Sequence, residues 1–247
     1  MIAFVLLLIP FSYAYINIHH HLISSKLFVK RLNIYEPKSE NQEKYWKDLQ
    51  DSRCKLVVAN GAAGTGKTLL ACQSAIKELY DGNINKIIIT RPVVPVEEDI
   101  GFLPGTLNKK MDPWTRPLMD IFNDFHSKNN VKSMIKEDVI EISPLGFMRG
   151  RTFKDAIIIA DEMQNCSPNQ MLMFLTRIGE NSRVIITGDL QQCDKNYSGL
   201  HDLLEKLNMY YGNKEEMRKD GIVIHEFINI DVQRSSLVSK ILDIYNQ

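Results

Sequence analysis

Residues 55–80, KLVVANGAAGTGKTLLACQSAIKELY, hold the reading that decides the fold. The apolar run KLVVAN (55–60) enters a glycine-rich turn and is expected to form a strand. Beyond the turn, Leu69, Cys72, Ile76 and Leu79 recur at helical spacing with Ala75 beside them, so 68–80 is expected to be a helix. Between the two, GAAGTGKT (Gly61, Ala62, Ala63, Gly64, Thr65, Gly66, Lys67, Thr68) fits G-x-x-x-x-G-K-[ST] in the strand-to-helix setting that the pattern requires. Its glycines let backbone N–H groups turn inward around phosphate oxygens, and the helix N-terminus adds its positive end. Lys67 is placed to reach the β- and γ-phosphates, and Thr68 to hold Mg²⁺. A turn that merely caps a helix is set aside because motif and context match together.

Working outward, KIIIT (86–90), VIEIS (139–143), AIIIA (156–160), RVIIT (183–187) and IVIHEFI (222–228) read as further strands. Helices are expected at 117–127, 168–178, 198–207 and 236–245. The proline-rich stretch 91–117 reads as a structured loop. Continuous apolar strands alternating with helices imply a parallel sheet covered on both faces. The expected class is α/β: three layers with a mostly parallel central sheet, in one domain over 37–247.

The second chemical feature is IIIADEMQN (157–165), an apolar strand running into two carboxylates. Asp161 would complete the Mg²⁺ shell with Thr68, and Glu162 would polarise the attacking water. Without the phosphate loop, such a pair reads as a solvated turn. Thr187, Gly188 and Asp189 end another strand. They read equally as a γ-phosphate sensor with Gln192 or as the start of a helix, where Asp is a good cap. No NKxD base-reading motif is present, which argues against a GTPase. The spacing of the acidic motif and the want of a recognition lid argue against a nucleoside kinase.

Thirty basic residues balance thirty acidic ones in the 247-residue chain, so any polyanion contact must come from a local patch. Four scattered cysteines give no CxxC and no disulfide framework. The N-terminus differs from the rest. IAFVLLLIPFSYAYINI (2–18) is apolar, Ser12-Tyr13-Ala14 resembles a signal-peptide cleavage site, and no acidic residue occurs from Met1 to Tyr35. With Lys26, Lys30 and Arg31, residues 1–36 resemble the two-part presequence of plastid proteins. The expectation is a leader outside the fold and a plastid address. A membrane anchor, a mis-chosen start codon and a cytoplasmic location are the other readings. No stable membrane association is expected of the mature domain.

Five segments carry a named resemblance: NGAAGTGKT, TRPVVPVEEDIGFLPGTLNKKMDPWTRPL, PLGFMRGRTFKDAIIIADEMQN, PNQMLMFLTRIGENSRVIITGDLQQ and DVQR. Over residues 40–247 the chain resembles the PhoH family of ATPases, whose core is similar to the first motor domain of superfamily 1 helicases. The resemblance implies a RecA-like P-loop core, ATP and Mg²⁺ as cofactors, and phosphate starvation as the family's label. It makes Gln42 in NQEKYW the candidate adenine contact. Gln164 and Gln192 take the helicase-type coupling positions, and Arg234 is the late arginine that approaches the γ-phosphate. A surface role for Arg234 is the plain alternative. Ala62 stands where family members often have proline.

The resemblance also places single-stranded nucleic acid at the TRP segment, hence Arg91. Arg149 and Arg151, with Phe147 and Phe153 nearby, suit phosphate contact and base stacking. They could instead serve a neighbouring subunit's nucleotide or pair with the acidic EED loop. Because only one motor domain is evident, a homo-oligomeric ring, a hexamer, is expected to close the site. Remodelling or unwinding of RNA is the implied work. A nucleotide-dependent RNA-binding switch, or an ATP-dependent regulator of a nuclease, are the alternatives.

Overall fold

A computed structural model of the chain describes residues 35–92, 107–193 and 198–233, with Lys240 and Ile244; for 107–115 it describes the backbone alone. All six expected strands form: β1 (Leu56–Gly61), β2 (Lys86–Thr90), β3 (Ile140–Ile142), β4 (Ala156–Ala160), β5 (Arg183–Gly188) and β6 (Ile222–Phe227). They make one sheet in the order β3-β2-β4-β5-β1-β6. Every pairing is parallel.

The alternation of side chains along a strand divides the core into two layers. Ile157 and Ile159 face one side with Val57, Ala59, Ile87, Ile89 and Ile185. Ile158 faces the other with Val58, Ile88, Val184 and Ile186. All three isoleucines of β4 are fully buried. Each contributes about 1.5–3 kcal/mol of burial, which is why the strand tolerates no polar position. The first face is covered by α1 (Glu40–Gln50), α2 (Lys67–Tyr80), α3 (Leu107–Phe125) and α4 (Lys128–Lys136). The second is covered by α5 (Pro168–Leu175) and α6 (Gly199–Tyr210). A short helix, α7 (Lys214–Lys219), precedes β6.

Three helices add to the expected pattern, and each has few apolar positions to reveal it. In α1, Gln42, Tyr45, Asp48 and Leu49 are buried, so two of the four are polar. Ser39 caps it, its Oγ accepting from the Gln42 N–H at 3.3 Å. Only Val131 and Met134 are buried in α4, and only Met217 in α7.

α3 corrects the loop reading of 91–117, because the chain is helical from Leu107 through Pro113 and Pro117. Leu118, Phe122 and Phe125 are almost wholly buried, and that packing outweighs the lost N–H groups of the prolines. Of the helix expected at 236–245, only Lys240 and Ile244 are described, and both are helical. Tyr35 falls within the stretch read as leader. Its N–H nonetheless donates to Gln73 Oε1 at 2.7 Å, and its ring meets Phe125 edge-on.

Strand register brings the chemistry to one edge. Asn60 of β1 lies opposite Gly188 of β5, and Ala160 of β4 lies opposite Thr90 of β2 and Ile186 of β5. The residues that follow these strands therefore emerge together at the carboxyl ends of the sheet, where α/β folds place ligands.

Candidate nucleotide site

Gly66 begins the phosphate loop's helix with φ 80°, a left-handed conformation that a side chain would strain. It turns the chain so that α2 points its N-terminus at the loop. Lys67 is 8% exposed. Its Nζ donates to Gly61 O at 2.5 Å, Ala62 O at 2.8 Å and Thr65 Oγ1 at 3.2 Å. The ammonium thus sits inside the cradle where phosphate oxygens belong. Burial pushes its pKa below the usual lysine value, opposed by Asp189, Glu162 and Asp161.

Across the cleft, Asp161 Oδ1 accepts two hydroxyls, from Thr68 at 2.8 Å and from Thr187 at 2.6 Å. β5 lies between β1 and β4, which brings Thr187 at its end beside Asp161 at the end of β4. The hydroxyl of Thr68 beside a carboxylate is an all-oxygen pair suited to Mg²⁺. These residues fit the metal of a nucleotide complex, Thr68 and Asp161 supplying the protein's oxygens. A cleft of about 250 Å³ opens here, lined by the 63–69 loop, Asp161, Glu162, Thr187, Asp189 and Gln192.

Glu162 takes φ 54°. For a non-glycine residue this is a costly conformation, and neighbours hold it. Gln164 Nε2 donates to Glu162 Oε2 at 2.6 Å, and Arg91 Nη2 lies 3.4 Å from Oε1. Gln164 Oε1 in turn accepts the Asp189 N–H at 3.1 Å, and its carbonyl takes the Cys193 thiol at 3.3 Å. A Cβ on Gly188 would lie 2.9 Å from Gln164 Oε1, so the amide needs a glycine there. Gln164 therefore joins the tips of β4 and β5. Asp189 also caps the turn Leu190–Gln192, its Oδ1 accepting Gln191 N–H at 3.0 Å. That is the helix-start reading of TGD.

A model of PhoH-like proteins matches residues 34–246. The chain belongs to the PhoH family. It is 45% identical over 197 residues to a PhoH-like protein of Bacillus subtilis, covering 79% of this chain and 59% of that one. It is 38% identical to Protein PhoH of Escherichia coli over 85% of this chain and 57% of that one. The chain thus spans about three fifths of the length of these relatives. Among solved structures, a large terminase from a thermophilic bacteriophage aligns at 12% identity and TM-score 0.49, over 84% of this chain and 50% of that one. A Pif1 helicase from Candida albicans aligns at 16% and 0.41, over 86% and 44%. At that level of likeness neither bears on the site.

In this PhoH chain Gln42 stands differently from a free base contact. It is 4% exposed; its Nε2 donates to Thr65 O at 3.0 Å and Asp231 O at 3.4 Å, and its Oε1 accepts Lys38 N–H at 2.7 Å. The side chain braces the loop from beneath. Asp231 joins the brace, accepting from Ser39 Oγ at 2.5 Å and Asn41 Nδ2 at 2.9 Å. Burial alone would raise its pKa; hydrogen bonds from Ser39, Asn41 and the Ile228 N–H bring it below the usual value. Gln233 N–H reaches Gly64 O at 2.8 Å. The DVQR segment therefore ties α1 to the phosphate loop, a role that its arginine had overshadowed. Arg234 itself lies outside the described residues.

Arg151 also departs from expectation. Its guanidinium forms a forked ion pair with Glu141 of β3, with Nη2 at 2.9 Å from Oε2, and lies 4.6 Å over the Phe153 ring. Its partner among the described residues is Glu141; the EED loop lies outside them. Arg149 is exposed, and Phe147 is 61% exposed. Tyr45, whose OH donates to Lys67 O at 3.3 Å, and Asp231 complete the site beyond what was read from the sequence, as does the bond from Thr187 to Asp161.

Proposed function

We propose that the chain hydrolyses ATP with Mg²⁺ and uses the cycle to move or remodel single-stranded RNA. The observation that carries the reading is Asp161 Oδ1 held by Thr68 and Thr187 beside Lys67 in its cradle. Lys67 would neutralise the β- and γ-phosphates as the cradle's carbonyls give it up. Thr68 and Asp161 would hold Mg²⁺, which would supply charge neutralisation for the phosphates. Glu162 would orient water and take its proton, and Gln164 and Gln192 would pass the occupancy of the cleft to the rest of the edge. Single-stranded nucleic acid is favoured by the exposed Phe147 and Arg149 on the turn after β3.

Closure of the site by a second copy, with Arg234 in trans, belongs to the same proposal, as does a plastid address for residues 1–36. Hydrolysis of ATP by the full chain, with and without single-stranded RNA, tests the function. A response to the strand supports it, and no hydrolysis sinks it. Sedimentation tests the ring, and a reporter fused to residues 1–36 tests the address.

A further inference from the structure

Arg91 follows β2, and its guanidinium is 3.4 Å from the carboxylate of Glu162 at the end of β4. Thr90 and Ala160 are register partners, so the two side chains leave neighbouring strands one and two residues past the last pair. About a third of each side chain is exposed, 29% and 36%, which leaves both reachable from solvent, and Glu162 also lines the cleft. Gln164 takes the other oxygen of Glu162. Gln164 thus positions one oxygen of the water-activating carboxylate, while Arg91 competes with water for the other.

We propose that Arg91 is a latch. It holds Glu162 away from catalysis until a phosphodiester of a single strand draws the guanidinium off. The inference rests on the reading of Glu162 as general base.

The geometry favours a nucleic-acid strand as the releasing ligand. β3 is the sheet neighbour of β2, and its own exit carries Phe147 and Arg149 exposed to solvent. A ring for stacking and a guanidinium therefore lie on the same sheet edge as Arg91, which is the pairing that single strands use. Arg151 is withheld from that surface by Glu141. Arg91 is then the residue through which occupancy of the edge reaches the water-activating carboxylate. No proton or bond changes in the latch; one ion pair is exchanged for another.

The test is steady-state ATP hydrolysis by the full chain, with Arg91→Ala and Arg91→Gln, with and without poly(U). Binding of a fluorescent ATP analogue reports folding of each variant. The expected result is a rise of about fivefold or more in kcat without RNA for at least one folded variant, with KM for ATP unchanged. Poly(U) should add little further in that variant. A fall in kcat, or no change, in variants that bind nucleotide normally overturns the latch. If the wild type hydrolyses ATP but ignores poly(U) and responds to a polyanion such as heparin alone, release by a nucleic-acid strand is overturned. Hydrolysis that is absent in every protein sinks the general-base reading and the latch with it. A purely structural role for Arg91 would lower stability and nucleotide binding together, and would not raise kcat.

Discussion

Thr187 Oγ1 donates to Asp161 Oδ1 at 2.6 Å, the same oxygen that accepts the Thr68 hydroxyl at 2.8 Å. The buried threonine fixes the carboxylate beside the phosphate loop. Thr187→Val keeps the shape and removes the donor. It should cost about 1 kcal/mol of stability and raise the Mg²⁺ needed for half-maximal hydrolysis about fivefold. A Mg²⁺ titration at saturating ATP checks this; an unchanged midpoint would mean that Thr68 alone sets the carboxylate.

Gln164 spans Glu162 Oε2 and the Asp189 N–H. Gln164→Ala frees the glutamate and leaves a buried N–H unpaired. Hydrolysis should drop by about tenfold or more in kcat, while KM for ATP stays within about twofold. A rise in KM with kcat kept would place Gln164 on the nucleotide instead.

Gln42 braces the loop through Thr65 O and Asp231 O. Gln42→Ala should destabilise the fold by about 1–3 kcal/mol, since buried partners lose their bonds. If bracing is its main role, affinities for ATP and GTP should fall together. Selective loss of ATP binding would restore the adenine contact.

Arg151 and Arg149 should separate cleanly. Arg151→Ala removes a partly exposed forked pair and should lower stability by about 1 kcal/mol with little effect on RNA affinity. Arg149→Ala with Phe147→Ala should leave stability unchanged and weaken binding of a labelled single strand about tenfold. The opposite pattern would return Arg151 to the nucleic-acid surface.

His126 at the end of α3 has its pKa lowered from 6.5 to about 4 by burial. The unfolded chain binds the proton more readily, so this group's contribution is fully present above about pH 6.5 and is lost as pH falls toward about 4. The loss is at most about 2–3 kcal/mol. His126→Leu should therefore lose less stability than the wild type between about pH 6.5 and pH 4.5 in urea titrations. Parallel curves would show that other groups set the acid limb.

The strands and the nucleotide loop were legible because each rests on a dense local signal. KLVVAN, AIIIA and RVIIT are continuous apolar runs, and Lys67 and Thr68 sit at fixed offsets in a glycine-rich turn. The helices α1, α4 and α7 hid because their burial uses one or two apolar residues and, in α1, a polar brace. The first half of α3 hid behind Pro113 and Pro117, whose local penalty is outweighed by packing of Leu118, Phe122 and Phe125 in the half that was expected. Sheet order was not legible at all. That β5 lies between β1 and β4, and so puts Thr187 on Asp161, is a long-range pairing with no trace in spacing. The partners of Gln42, Arg91 and Arg151 likewise depend on the tertiary fold.

The central claim is Mg²⁺-dependent hydrolysis of ATP at the cleft between Lys67 and Glu162. Single-turnover hydrolysis by the full chain, its Lys67→Ala and its Glu162→Gln, alongside ATP-analogue binding, tests it most directly. The account predicts that Glu162→Gln binds nucleotide normally and hydrolyses it at least about a hundredfold more slowly, while Lys67→Ala loses binding as well. A Glu162→Gln protein that hydrolyses ATP at the wild-type rate would contradict it.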